Sequence, residues 1–124
     1  MMALKKWEVI ILEPADRDIH EIAVYLAEYE GLDIAEEILG RIEEAVNSLS
    51  SLPDRGRIPP ELEKQSHVFR EMQVRPYRVI YEVERPAAKV RVHIIIDGRR
   101  NAKQVMEDRL LRSPTFFLDE TEDE

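Results

Sequence analysis

Two amphipathic helix patterns follow each other in this chain, with no strand pattern between them. The first apolar stripe recurs every three or four residues at Ala15, Ile19, Ile22, Leu26 and Tyr29. The second stripe occupies Ala35, Ile38, Leu39, Ile42, Ala45, Val46, Leu49 and Leu52. This spacing is typical of helices with one buried face. Because only a short connection separates the stripes, they predict an antiparallel helical hairpin and exclude a regular alternation of strands and helices.

The residues at the helix ends support this assignment. Pro14 suits the first turn of the first helix, and Gly31 suits its C-terminal end. Asp33 and Glu36 have the spacing of a capping box, which predicts that the second helix begins at Asp33. Pro53 is expected to stop that helix.

Four strand patterns surround the hairpin. Residues 7–12 are rich in β-branched side chains, with apolar residues on both parities, and predict a strand covered on both faces. After an aperiodic loop at 53–60, strand-like runs at 68–74, 77–84 and 89–96 are separated by proline-containing breaks that fit tight turns. In the last run, strict alternation places Val90, Val92, Ile94 and Ile96 on one face and Arg91, His93 and Ile95 on the other.

A short helix is expected after the last strand. Asn101 and Gln104 resemble a second capping box, and Pro114 follows the apolar positions Val105, Met106, Leu110 and Leu111. The chain therefore predicts an α+β fold with an N-terminal strand, an antiparallel helical hairpin, a three-stranded antiparallel meander and a short C-terminal helix. We expect one domain at 1–113 and a disordered acidic tail at 114–124, in which Phe116–Leu118 could pack on the core or contact a partner.

The net charge of −8 conceals three blocks of different sign. Residues 1–53 carry −8, residues 54–112 carry +5 and residues 113–124 carry −5. An acidic total argues against a general nucleic-acid binder, but the basic middle permits a basic binding face. The alternative is that the acids are solvated residues on outer helix faces.

Several classes of site are absent from the sequence. With no cysteine there is no disulfide, thiol nucleophile or cysteine metal site. His20, His67 and His93 lack ligand spacing, and no glycine-rich phosphate loop occurs, so neither a metal nor a cofactor is expected. The longest apolar run, 22–27, is far shorter than a membrane span, and the N-terminus lacks the features of a secretory signal, which predicts a cytoplasmic protein with no membrane contact.

Arginine and tyrosine are concentrated in the strand region, at Arg70, Arg75, Tyr77, Arg78, Tyr81, Arg91, Arg99 and Arg100. Arginine binds phosphate or carboxylate in bidentate fashion, and tyrosine can donate a hydrogen bond. Arg70 shares its parity with Val68 and Met72, so it either pairs with an acidic residue or lines an open concave site. The residues alone leave open a catalytic face, a binding face or a set of internal ion pairs.

Motifs in a defined order carry a family resemblance. They are Pro14-Ala15-x-x-Asp18-Ile19-x-x-Ile22, the positions Ala35, Ile42 and Leu49, Leu52-Pro53-Asp54-x-Gly56-Arg57, Arg70-Glu71-Met72, Pro76-Tyr77-Arg78-Val79-Ile80-Tyr81, and Val90-x-Val92-x-x-Ile95-x-x-Gly98-Arg99-Arg100. Over roughly residues 7–101 the chain resembles the RelE/ParE superfamily of type II toxin–antitoxin toxins, in particular its ParE-like (plasmid stabilisation) branch.

The resemblance implies a bacterial toxin that a cognate antitoxin neutralises. ParE-like members act on DNA gyrase, whereas RelE-like members cleave mRNA on the ribosome; a third possibility is an inactive relative that still binds antitoxin. The position before Gly98 is often histidine in relatives and is Asp97 here, which removes an acid–base group and favours the gyrase target.

The implied target-binding residues are Arg70, Arg75, Tyr77, Arg78, Tyr81, Arg99 and Arg100. Under the ribonuclease alternative, the resemblance implies Arg70, Arg78, Tyr81 and Arg99 as catalytic residues. Neither alternative implies a metal, a cofactor or a small-molecule ligand.

Overall fold

A computed structural model of the chain describes residues 6–65 and 67–111. Its elements are β1 (Glu8–Ile11), α1 (Glu13–Tyr29), α2 (Leu32–Ser48), a 3-10 turn (Pro60–Leu62), β2 (Phe69–Val74), β3 (Tyr77–Glu84), β4 (Lys89–Asp97) and α3 (Ala102–Leu110). The predicted α+β fold, with its hairpin, antiparallel meander and short third helix, is confirmed. The tail at 114–124, with Phe116–Leu118, lies outside the described residues.

The four strands form one sheet in the order β1-β4-β3-β2. Neighbouring strands of the meander are antiparallel, and β1 runs parallel to β4 over residues 89–92. The prediction that the first strand is covered on both faces is wrong, because Glu8 and Ile11 are exposed. A short strand at the edge of the sheet lacks the neighbours that would bury it.

Both faces of the central strands are covered, by different elements. The helical hairpin packs on one face in a core of Ala15, Ile42, Val46, Leu49, Met72, Val74, Tyr77, Val79, Tyr81, Val83, Val90, Val92 and Ile95. On the other face, α3 and the 3-10 turn complete a second core of Leu62, Val68, Phe69, Ile80, Ile94, Ile96, Ala102, Met106 and Leu110. This double burial explains why β4 has apolar residues on both parities at Ile94, Ile95 and Ile96, and why Ile80 stands among the polar positions of β3.

The strict alternation predicted for the last strand is wrong, because β4 contains a β-bulge. Ile80 pairs with Ile94 and Tyr81 with Val92, so His93 has no opposite residue. The extra residue inverts the parity that follows it. Ile95 therefore faces the hairpin, whereas Ile94 and Ile96, predicted to share a face with Val90, lie in the second core.

The predicted start of the second helix is also wrong. Gly31, with φ of 101°, precedes the first helical residue Leu32, and no side chain caps this end. The positive φ makes the sharp reversal between the helices and starts α2 before Asp33 can act as its cap. The helix ends at Ser48, ahead of Pro53.

At α3 the predicted cap is partly confirmed. The Asn101 side chain accepts a hydrogen bond from the backbone N of Gln104 at 3.2 Å. The Gln104 amide does not reach back to Asn101; it donates to Asp108 at 3.0 Å.

The loop after α2 is held against the sheet at Gly56. The Gly56 backbone N donates to the Tyr81 hydroxyl at 3.0 Å, and Arg57 and Glu71 exchange two backbone hydrogen bonds. A Cβ atom at Gly56 would lie 2.4 Å from the Glu71 carbonyl oxygen and 2.7 Å from the Tyr81 hydroxyl. Only glycine permits this close approach of two backbones.

We expect Gly56→Ala to lower the free energy of unfolding by about 2–3 kcal/mol, because the added methyl group must displace backbone atoms of β2. Urea denaturation followed by circular dichroism measures the change. Gly40→Ala is the matched control: nothing lies within 4 Å of its Cβ position in α2, so alanine should raise stability by up to about 1 kcal/mol. Equal effects at the two positions would contradict the proposed contact.

Candidate binding surface

The seven residues implied as target-binding lie in three separate places, because successive residues of a strand point to opposite faces of a sheet. Arg70 and Tyr81 lie on the hairpin face, and Arg78 lies on the face that α3 covers. Arg75, Tyr77, Arg99 and Arg100 gather at the end of the sheet formed by the β2–β3 turn and the β4–α3 connection.

Arg70 and Tyr81 fasten the Gly56 loop to the sheet. They are paired across β2 and β3, and Tyr81 is fully buried. Arg70 Nη1 donates to the Gly56 carbonyl oxygen at 3.0 Å, and its Nε lies 3.3 Å from Asp54 Oδ1 in an ion pair without hydrogen-bond geometry. Burial raises the pKa of Tyr81. Of the two alternatives predicted for Arg70, the structure therefore has the pairing with an acid, which the loop after α2 supplies.

Arg78 is held by two carboxylates. Its two terminal nitrogens each donate to Glu61 at 2.8 Å, and its Nε donates to Glu71 Oε1 at 2.6 Å. The other Glu71 oxygen accepts from Arg57 Nε at 2.7 Å, and the Glu71 side chain has no exposed surface. Hydrogen bonding to Glu61 raises the pKa of Arg78, and the same bonds hold the pKa of Glu61 below its ordinary value.

A groove of about 500 Å³, here called the basic groove, unites three of the remaining four residues. Arg75 and Arg99 are exposed along it, while Tyr77 is buried at its wall. Arg99 makes a two-point ion pair with Asp97, at 2.7 and 3.0 Å, which lowers the pKa of that carboxyl. The full lining is Arg57, Pro60, Glu61, Gln73, Arg75, Pro76, Tyr77, Arg78, Gly98 and Arg99.

A second depression of about 550 Å³, here called the edge groove, lies between α1, β4 and α3. Tyr77 lines both grooves, and Arg100 lines the second one. An Asp18–Arg109 ion pair crosses it, in which Asp18 also accepts from the Ile95 backbone N at 3.0 Å and Arg109 donates to the His93 carbonyl at 2.7 Å. The lining is Asp18, Glu21, Ile22, Tyr25, Tyr77, Ile94, Ile95, Ile96, Asp97, Arg100, Val105 and Arg109.

Sequence reasoning missed the acidic partners and the edge groove. Glu71 was noted only as a motif residue, although its parity with Phe69 placed it on a buried face. Glu61 carried no signal, because its contact with Arg78 depends on how the loop crosses the sheet. Within residues 6–65 and 67–111 no group of three or more potential ligands could hold a metal ion, and no helix is long and apolar enough to cross a membrane.

The ion pair of Glu61 predicts a loss of stability in acid. A carboxyl whose pKa is lower in the folded than in the unfolded chain stabilises the fold above its unfolded pKa, and this contribution disappears as pH falls through the folded pKa. For Glu61 the window lies below its ordinary value of 4.5. We therefore expect Glu61→Gln to flatten the fall in unfolding free energy as pH drops below about 4.5.

Urea denaturation at a series of pH values measures this slope. Glu63→Gln, which removes the same charge from an exposed side chain nearby, reports the effect of net charge alone. An identical slope in the wild type and in Glu61→Gln would contradict the assignment.

Comparison with known proteins places these features in a family. The family model described as "ParE toxin of type II toxin-antitoxin system, parDE" matches residues 9–102, close to the 7–101 over which the motifs resemble that branch. A chain of the solved structure "Chromosomal ParDE TA system from P. aeruginosa" is similar in fold, with a TM-score of 0.63 and 15% identity over 75% of this chain and 97% of that one. No curated protein sequence matches the chain significantly.

The sequence match extends from β1 to the start of α3 and so includes the hairpin, the whole meander and the basic end of the sheet. The chain belongs to the ParE toxin family of type II toxin–antitoxin systems.

Proposed function

We propose that the protein is a toxin that inhibits DNA gyrase by binding rather than by catalysis, and that a cognate antitoxin neutralises it. Family membership supports the toxin role. The observation that carries the mode of action is the separation of Arg70 and Tyr81 from Arg78 on opposite faces of the sheet.

A ribonuclease of the kind considered from sequence needs its cations and its proton-transfer groups to converge on one phosphate. Arg78 is instead engaged by Glu61 and Glu71, and the hydroxyl of the buried Tyr81 accepts a hydrogen bond from Gly56. Breaking such buried contacts would cost several kcal/mol before any substrate was bound. These contacts favour a structural role for both side chains.

The target surface we propose is the end of the sheet where Arg75, Tyr77, Arg99 and Arg100 lie. The three arginines are exposed, so a partner can reach them without disrupting the core. The net charge of −8 weakens long-range attraction to a ribosome, because affinity for a polyanion depends on net phosphate neutralisation. Either target implies a cytoplasmic location. We place the toxin domain at 1–113, followed by the tail at 114–124.

Two assays on the full chain test the mode of action. We expect added protein to inhibit ATP-dependent supercoiling by purified gyrase, and induced expression to produce no new mRNA 5′ ends by primer extension. New mRNA ends with undisturbed supercoiling would overturn the proposal in favour of the ribonuclease. Normal growth and supercoiling without antitoxin would identify an inactive relative.

Paired substitutions test the surface. Arg75→Ala with Arg99→Ala should raise the concentration needed for half-inhibition of gyrase by about tenfold or more, because interface arginines are frequent sites of large binding loss. Arg17→Ala is the matched control, since it removes one exposed arginine from α1, outside both grooves. Equal inhibition by all three proteins would place the target elsewhere.

The product of an adjacent reading frame tests the antitoxin. Co-expression should restore growth and supercoiling, and the two proteins should co-purify at a fixed ratio. Failure of every neighbouring product to bind would contradict the antitoxin assignment alone.

A further inference from the structure

The outer edge of β2 is only partly covered by the rest of the described chain. β2 is the last strand of the sheet, and its residues turn their main-chain groups alternately toward β3 and away from it. The Val83 backbone N donates to the carbonyl of Val68, directly before β2, so residues 70 and 72 have the parity that bonds to β3. Residues 69, 71 and 73 therefore point outward, in agreement with the two backbone hydrogen bonds between Glu71 and Arg57.

Gln73 is the next outward position after Glu71, and it has no such partner. The Arg57–Glu71 bridge is isolated, because the loop after α2 pairs with β2 there and does not continue beside Gln73. Gln73 is exposed, and within residues 6–65 and 67–111 neither its backbone N nor its carbonyl oxygen has a hydrogen-bond partner. One donor and one acceptor thus face outward in the arrangement that an added strand requires.

The side chain of Gln73 leads from this edge to the basic groove. Gln73 lies opposite Arg78 across the two strands, and both residues line the groove. A residue that paired with Gln73 from outside would carry its side chain on the same face of the sheet. Residues two positions away, at about 7 Å, would share that face. Every second side chain of an added strand would therefore lie at the basic groove.

Charge decides which side chains suit this groove. Its charged lining consists of four arginines and one carboxylate, namely Arg57, Arg75, Arg78, Arg99 and Glu61. Arg78 is already held by Glu61 and Glu71. The Arg57 side chain is 60% exposed and donates to Glu71 through Nε, and no ion pair within the described ranges engages Arg75. Carboxylates at alternate positions of an added strand match these guanidinium groups, which bind carboxylates in bidentate fashion.

We propose that the β2 edge at Gln73 and the basic groove together bind an extended, acidic segment of the target, which joins the sheet as an added strand with a carboxylate at every second position. Two main-chain hydrogen bonds at Gln73 hold the segment in register, and Arg57, Arg75 and Arg99 select its charge. Only the source of the segment rests on the proposed function, since the site itself can be tested without gyrase.

Hydrogen exchange in the full, isotopically labelled chain tests the free edge. The amides of Arg70 and Met72, which bond to β3, should exchange slowly, and the amide of Gln73 should exchange at least about tenfold faster. Protection of the Gln73 amide in the free chain would show that the edge is already covered, and would overturn the proposal.

A designed peptide provides the probe for binding. The capped peptide Thr-Val-Asp-Val-Glu-Val-Thr combines β-branched residues, which favour an extended strand, with acids two positions apart. Added to the full chain, it should slow the exchange of the Gln73 amide and shift the amide signals of Gln73, Arg75 and Gly98. A peptide with lysine in both acidic places should do neither. The acidic peptide N-methylated at both acids should also fail, because it lacks the N–H that donates to the Gln73 carbonyl.

Two substitutions at one position isolate the main-chain contribution. Gln73→Pro removes the outward N–H but leaves the ladder with β3, in which that N–H takes no part. Gln73→Ala is the matched control, since both variants lack the glutamine side chain and differ in the N–H. We expect the proline variant to bind the acidic peptide about tenfold more weakly than the alanine variant, as the loss of one hydrogen bond predicts.

Equal binding by the two variants, or equal binding of the acidic and lysine peptides, would overturn the added strand. Should the proline variant fail to fold, the N-methylated peptide makes the same test on the unaltered chain.

The supercoiling assay tests whether the target supplies the segment. The concentration of Gln73→Pro needed for half-inhibition of gyrase should be about tenfold higher than that of Gln73→Ala. Equal inhibition would exclude gyrase as the source and overturn that part of the proposal. If the unaltered chain does not inhibit gyrase, the proposed function fails and the peptide result stands. If it inhibits gyrase but does not bind the peptide, the β2 site alone fails.

Discussion

The buried carboxylate of Glu71 is the interaction on which the basic half of the structure depends. Removing a charge from water costs several kcal/mol unless partners replace the lost hydration. Arg78 and Arg57 supply those partners from β3 and from the loop after α2. Arg78 in turn engages Glu61 of the 3-10 turn, so one charge fixes four segments relative to one another.

The contacts around Glu71 also show why a high density of arginine did not by itself identify a binding site. Four arginines of this region, Arg57, Arg70, Arg78 and Arg85, pair with acids of the loop, the 3-10 turn and β2. These ion pairs engage the four arginines within the fold, whereas Arg75, Arg99 and Arg100 at the sheet end are exposed, with Arg99 also paired to Asp97. Most arginines of the basic block at 54–112 are thus engaged in ion pairs within the fold, and a smaller number are accessible to a partner.

Periodicity predicted the helices and the meander because each leaves a repeating pattern in the chain. The bulge at His93 left no such pattern in the sequence. Because β4 has isoleucine at three successive positions after His93, a register shift of one residue places an isoleucine on the same face as before. The start of α2 depended on the φ angle of Gly31, which outweighed the capping-box spacing of Asp33. The residue types of the candidate site were evident from the sequence. The face of the sheet on which each side chain lies was not, because it depends on the register between strands, which no single segment encodes.

Because β1 pairs with β4 only over residues 89–92, the later half of β4 is a strand edge without a neighbouring strand. Asp18 and Arg109 occupy that edge, one accepting from the Ile95 backbone N and the other donating to the His93 carbonyl. Two charged side chains thus take the hydrogen-bonding places of a missing strand. An exposed β edge invites pairing with another copy, and charges at the edge oppose it. The ion pair therefore opposes the pairing of a further strand with this part of β4.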